Sequence, residues 1–297
     1  MSSQHHHQGT AMNVSAGVAS VSVALALVGL KLWALGATQA LSVAASLADS
    51  ALDLMMSLGG LMAILYAARP ADEDHAFGHT SVEDLAALTQ SVFILVSGAV
   101  IGWTAVGRLL SGDASPIAAE GAGMIVMAVS ILLTVGLVLW QRRVARLTGN
   151  RVVAADSLHY MTDLLPNIGA IAALWMSKAF GLGQLDSVVA LGAAAMLAVG
   201  SLRIGKGAWD ALMDRRADPA IIAGIEAIVR DWPGIRGFHD LKTRMAGSRI
   251  FVNLHIELDG DQTLRDAHAI GAGLRRRIIE TYPQCDVIIH KDVAGET

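Results

Sequence analysis

Two short strings place ionisable side chains where the surrounding sequence admits almost none. Residues 47–56 read LADSALDLMM, with Asp49 and Asp53 four apart; residues 156–167 read DSLHYMTDLLPN, with His159 and Asp163 four apart. Both sit in long apolar runs, where insertion of a charged side chain costs about 2.5–3.5 kcal/mol. Residues i and i+4 of a helix lie one above the other on the same face. Each run therefore offers two stacked ligands, and two such faces opposed form a cage of three carboxylates and one imidazole. That donor set suits a tetrahedral divalent ion such as Zn2+, and aspartate in place of a second histidine hardens it enough to accept Cd2+, Fe2+, Co2+ or Mn2+. The competing reading makes these groups ion pairs or residues bathed in water at the span ends. No lysine or arginine lies within either run, short of Lys178 at the end of the second, to pair with them. Asp156, one turn before His159, reads as a residue near the interface, either solvated or at the helix start. Pro166 either bends the second run beside the cage or is an ordinary transmembrane proline.

The elements that must hold such a cage are legible in the composition. The chain has 297 residues, 54% hydrophobic and 16% charged, with mean hydropathy +0.51. Charge is unevenly divided: 22 of the Asp, Glu, Lys and Arg residues fall in 1–209 and 26 in 210–297. Lipid excludes charge and water does not, so a membrane part gives way to a soluble one. Six apolar runs, near 13–35, 41–68, 83–110, 117–140, 153–178 and 183–209, are each long enough to cross about 30 Å of hydrocarbon as a helix. The expected order is a tail over 1–12, carrying His5, His6 and His7, then a six-helix transmembrane domain over 13–209. A linker over 210–217 and a cytoplasmic domain over 218–297 complete it.

Arg142, Arg143, Arg146 and Arg151 lie between the fourth and fifth runs, and Arg203, Lys206, Arg215 and Arg216 follow the sixth. The positive-inside rule puts that side, with both termini and the soluble domain, in the cytoplasm. Trp33, Trp140, Trp175 and Trp209 near run ends suit lipid anchoring. Net charge is -4 and no basic stripe stands out, which argues against a nucleic-acid partner. A single cysteine, Cys285, excludes an intrachain disulfide framework and a cysteine zinc cluster.

The last part reads as helix–strand–strand–helix–strand, a small α+β domain like a metallochaperone. Ile221, Ile222, Ile225 and Ile228 mark the first helix. Ile250, Val252, Leu254, Ile256 and Leu258 alternate strictly, so Phe251, Asn253, His255 and Glu257 face away from that core. A second helix is expected over 263–281, and a last strand from Val287 to His290. His290 and Asp292, two apart on that strand, point the same way. The histidines here are either metal ligands or a surface scatter. Between the second and third runs, His75 and His79 have the spacing that brings two imidazoles together on a helix, or are incidental loop histidines.

Taken in order, six runs with DxxxD in the second, HxxxD in the fifth, PADEDHAFGH after the second and HDLKTR and CDVIIHKD in the tail resemble the cation diffusion facilitators, specifically a bacterial zinc-transporter branch. The resemblance covers about residues 13 to 293. It implies a homodimer that exports zinc and related divalent ions from the cytoplasm in exchange for protons. It also implies a transport site at Asp49, Asp53, His159 and Asp163, a loop site at Asp72, His75 and His79, and a two-metal tail site at His239, His255, His268, His290 and Asp292. Relatives carry a lysine where Ser81 stands, paired with an aspartate matching Asp214, so that dimer interlock is altered here. The alternative is a membrane-embedded zinc sensor or scaffold that binds without transporting. An intramembrane metalloenzyme is disfavoured, because the chain has no HExxH.

Overall fold

The computed structural model describes residues 2–38, 41–111, 121–162, 164 and 185–296. They divide into two compact units, Met12–Ala208, and Trp209–Thr297 together with Met1–Ala11.

The first unit is helical. Its helices are α1 (Ser2–Thr38), α2 (Leu41–Ala67), α3 (Ser81–Ser111), α4 (Gly121–Thr148), α5 (151–162) and α6 (Leu185–Leu212). α1 begins at Ser2, inside the segment 1–12 expected as a tail. Four helices among the described residues are long and apolar enough to cross a membrane, over Gly9–Gly36, Asp49–Ala67, Ser81–Ser111 and Ala128–Thr148. Most of the fifth expected run, with Asp163, Pro166, Trp175 and Lys178, lies outside the described residues. The sixth corresponds to α6, which continues to Leu212.

Large apolar side chains stand outward, among them Trp103, Leu110 and Leu132, as they do where lipid is the solvent. Trp33, Trp140 and Trp209 are likewise exposed. Inside, Ile94, Leu137, Val138, Tyr160 and Leu197 pack into one cluster, and Ala16, Ile64, Val144, Val152 and Val153 into another. α5 contributes to both. It is therefore held on several sides exactly where it carries His159.

The second unit follows the expected order: α7 (Pro219–Arg230), β1 (Gly237–Ala246), β2 (Arg249–Leu258), α8 (Leu264–Thr281) and β3 (Cys285–Val293). Asp218 caps α7, its carboxylate accepting from the Ala220 N–H at 2.8 Å, with Pro219 preset for the first turn. Thr263 caps α8, accepting from the Asp266 N–H at 3.2 Å. The segment expected as a linker contributes structure, since α6 runs into it and Ala217 is buried in the core.

Strand order is β1-β2-β3, with β1 antiparallel and β3 parallel to the central β2. The parallel pair needs a crossover, and α8 supplies it. Ile250, Val252, Leu254, Ile256 and Leu258 line one face of β2 and close on Ile225, Val229, Leu274 and Ile278 of the helices. Among the described residues, the helices of this unit leave the opposite face uncovered. β3 is longer than the expected Val287–His290, because pairing with β2 extends from Ile250↔Cys285 to Leu258↔Val293.

Leu254 is 1% exposed at the centre of this core. Leu254→Ala is expected to destabilise the second unit by about 2–5 kcal/mol. Urea unfolding followed by hydrogen exchange over 217–293 measures it, and exchange in α2 and α3 should be unchanged.

Candidate metal sites

Within the membrane unit, α2 carries Asp49 and Asp53, and α5 carries His159. The structure brings two of the four expected cage residues into contact: His159 Nε2 lies 3.0 Å from Asp53 Oδ1. Both are buried, at 7% exposure for Asp53 and 3% for His159. The Phe93 ring of α3 meets the imidazole edge-on, with centroids 5.7 Å apart. The carboxylate of Asp49 is exposed, and Asp163 lies outside the described residues. An imidazole nitrogen and a carboxylate oxygen at this separation can both bind one ion, at the roughly 2.0 Å distances that zinc requires.

Around this contact runs polar material that the sequence reading left out. Ser20 Oγ of α1 donates to Ser57 Oγ of α2 at 2.8 Å, and Ser57 Oγ and Tyr160 Oη of α5 share a hydrogen bond of 2.9 Å. Tyr160 Oη also donates to the Ser20 carbonyl at 3.3 Å. Three helices are thus tied together one residue from His159. Asp156 corrects an expectation: it is buried, not solvated, and accepts from Gln141 Nε2 of α4 at 2.6 Å. Spacing showed that Asp156 precedes His159 by a turn, but not that Gln141 covers it. At the start of α5, Asn150 accepts from the Val153 N–H at 3.0 Å and donates to Glu83 Oε1 at 2.7 Å. Arg151 pairs with the fully buried Asp84 of α3.

Between α2 and α3 the chain forms a turn, not the helix on which the His75/His79 spacing was considered, and the turn still gathers the residues. The Asp72 N–H donates to the His75 carbonyl at 3.3 Å, and Asp72 Oδ1 accepts from the His75 N–H at 2.7 Å. Gly78, at φ +84°, donates to the His75 carbonyl at 2.9 Å and turns the chain back towards His79. His75 Nδ1 then lies 3.1 Å from Asp72 Oδ1, and His79 Nε2 lies 3.2 Å from Asp72 Oδ2. One ligand atom from each residue falls within 4.8 Å of the others. His79 is buried against the edge of Tyr66, which aims it inward. The backbone hydrogen bond from His75, aided by both imidazoles, holds the Asp72 carboxyl below its ordinary pKa.

In the second unit the register builds a row of imidazoles. His239 pairs with His255 across β1 and β2, and His255 with His290 across β2 and β3. The face of His239 depends on an irregularity. Four residues of β1, from His239 to Lys242, span three of β2, from His255 to Asn253, with Asp240 at φ +50°. Were β1 regular over these residues, alternation would put His239 on the same face as Thr243 and Met245, whose partners Val252 and Ile250 are core residues. The irregularity instead sends His239 to the uncovered face with His255.

There Asp292 is the hub. Its Oδ2 lies 2.9 Å from His255 Nδ1 and 3.5 Å from His239 Nε2, and its Oδ1 lies 3.1 Å from His290 Nε2. Ligand atoms of His239, His255 and Asp292 fall within 4.8 Å of one another. Glu257 was missed as a contributor: its Oε1 lies 3.1 Å from His239 Nδ1. Its signal was present in the alternation, two residues after His255. His268 is not brought to this cluster. It lies on α8, which packs on the core face of the sheet, beside a cavity with Arg276 and Lys291. Asp214 hydrogen-bonds with Arg244 Nη1 of its own chain at 3.2 Å.

Comparison with known proteins places these sites in context. Residues 17–213 match the cation efflux transmembrane domain, and 217–293 the cytoplasmic domain of cation efflux proteins. The chain is 38% identical to the cation-efflux pump FieF of Klebsiella pneumoniae over 93% of its own length and 91% of the relative's. The same figures hold for FieF of Cronobacter sakazakii. Among solved structures, the metal-bound C-terminal domain of the CzcD transporter from Thermotoga maritima is 25% identical, covering 26% of this chain and 92% of its own, with a TM-score of 0.26.

The loop geometry sets a pH dependence. A carboxyl held below its ordinary pKa supports the turn above that value, and the support is lost as pH falls through the lowered one. Carboxyl-carbon NMR of Asp72 should therefore give a midpoint below 3.8, with the His75 amide shift following it. In Asp72→Asn the His75 amide should no longer titrate in that range.

Proposed function

The chain belongs to the cation efflux family, and on that footing we propose that it exports Zn2+ from the cytoplasm in exchange for protons, by alternating access at a site inside the membrane unit. It is a membrane-spanning transporter of cations and not an enzyme. The observation that carries the zinc reading is the contact between Asp53 and His159, buried between α2 and α5 of the apolar unit. Asp49, one turn before Asp53, and Asp163, one turn after His159, complete the proposed cage of four.

The coupling follows from electrostatics. With no ion bound, three carboxylates around one imidazole in a poorly solvated cleft cannot all stay charged, so protons are held there. A divalent ion reverses that balance and expels them. Zinc and protons thus compete for the same oxygens and nitrogen. Protons arriving from the outer side release zinc there, and cytosolic zinc reloads the site once it faces inward. The bonds that join α1, α2 and α5 through Ser20, Ser57 and Tyr160 make those three helices a unit for such a movement.

We assign the Asp72, His75 and His79 turn as an accessory metal site and the sheet cluster as a regulatory or structural one. Metal held by His239, His255, His290 and Asp292 would stabilise one arrangement of the cytoplasmic domain. His268 is remote from that cluster within one chain, so its participation requires a second copy, which fits a homodimer. The arginines and lysine flanking α4, α5 and α6 support cytoplasmic termini in a bacterial inner membrane.

In proteoliposomes with controlled pH on each side, Asp53→Ala and Asp163→Ala are each expected to reduce zinc-driven proton flux to background while size-exclusion behaviour is unchanged. Wild-type exchange in both would remove the cage. Zinc-linked conformational change without any flux in the unmutated protein would assign a sensor instead. The same assay with Cd2+, Fe2+, Co2+ and Mn2+ ranks the substrates. Glu257→Gln, which loosens the carboxylate holding His239, should weaken zinc binding by the cytoplasmic domain about 10–100-fold, with flux through the cage retained.

A further inference from the structure

A second chemistry lies on the other side of the cytoplasmic sheet from the histidine row. Strand alternation sends His290 and Asp292 to the uncovered face and Ile289 and Lys291 to the face on which α8 packs. Beside α8 and the edge strand β3 lies a cavity of about 880 Å³, lined by Arg275, Arg276 and Lys291 and walled by Ile279, Pro283 and Ile289. That size falls within the range of small-molecule sites, roughly 300–1,000 Å³.

The cations there are arranged and not spent. Arg275 Nε donates to the Val287 carbonyl at 2.8 Å, which fixes its guanidinium against β3 and leaves the terminal nitrogens available. Neither Arg276 nor Lys291 has an ion pair among the described residues. Lys291 is laid across the backbone of α8 at Gly271, where a Cβ would come within 2.7 Å of its Cε. Glycine at that position therefore gives the lysine its path into the cavity. Glu280 is the single carboxylate in the lining, against two guanidiniums and one ammonium.

We propose that this cavity binds an organic phosphate. The phosphate oxygens would be held by Arg275, Arg276 and Lys291, and the apolar or aromatic part would lie on Ile279, Pro283 and Ile289. Guanidiniums match phosphate bidentately and lysine adds a point charge, which is why this trio selects phosphate over a simple carboxylate. The apolar wall, idle for a bare inorganic ion, gives a nucleotide or a lipid headgroup with its glycerol an additional contact. The proposal does not rest on the transport reading, although His268, a proposed metal ligand, also lines the cavity.

The test uses the full chain in nanodiscs of neutral phosphatidylcholine, in metal-free buffer, with radiolabelled ADP in equilibrium dialysis and pyrophosphate as competitor. Saturable ADP binding below about 1 mM is expected, with pyrophosphate a weaker competitor because it lacks the apolar part. Arg276→Glu and Lys291→Gln should each weaken binding at least about tenfold, which is the loss of roughly 1.4 kcal/mol. Gly271→Ala, which displaces the lysine without removing a charge, should do so too. Hydrogen exchange over 217–293, expected to be unchanged in each variant, certifies the fold. Nanodiscs containing phosphatidylglycerol form the second arm: loss of ADP binding there, restored in phosphatidylcholine, would identify a lipid headgroup as the source of the phosphate. Absence of saturable binding of either phosphate, or binding that ignores all three substitutions, overturns the proposal.

Discussion

Among the described residues of the membrane unit, the governing constraint is the cost of keeping a carboxylate and an imidazole out of water. Asp53 and His159 are each buried, and each is tolerable there because the other lies 3.0 Å away. A buried charge without a partner costs several kcal/mol, so neither helix can move freely past the other without exposing that cost. The same logic extends towards the start of α5, where Asn150 satisfies Glu83 and Arg151 satisfies Asp84. α5, with Asn150 just before it, is tied by polar side chains to α1, α2, α3 and α4. For a transporter this is an economical solution, because the groups that hold α2 against α5 are the groups proposed to bind the cation.

How much of this was legible in the sequence depends on which physical question is asked. The i,i+4 spacing of Asp49/Asp53 and of His159/Asp163 reports shared helix faces, since that follows from local geometry alone. The strict alternation of Ile250 to Leu258 likewise fixes the inward face of β2, and the core has the residues expected of it. What spacing does not carry is the identity of the neighbour. Asp156 has the local surroundings of a helix start, and only the packing of α4 decides that Gln141 reaches it and water does not. His75 and His79 were weighed for a helical spacing, yet a turn with Gly78 in the left-handed region achieves the same approach by another route. His268 belongs with the other histidines by composition but sits on the element behind the sheet.

The two faces of the cytoplasmic sheet divide labour by a simple device. Adjacent residues of β3 point oppositely, so donors for a cation and donors for an anion are interleaved along one strand without meeting. A sheet between them, with its apolar layer of Leu254, Ile256, Leu274 and Ile278, insulates one set from the other. This arrangement requires only that the strand be paired on one edge and flanked by one helix. That is why so small a unit accommodates it.

The bulge in β1 carries a further implication. Asp240 binds nothing in the proposed site, yet it shifts the parity of the strand between His239 and Thr243. The histidine's place is therefore set by a local backbone conformation and not by any contact. The same letters run as a regular strand would turn its imidazole into the apolar layer, so the left-handed backbone at Asp240 belongs to the site without touching it.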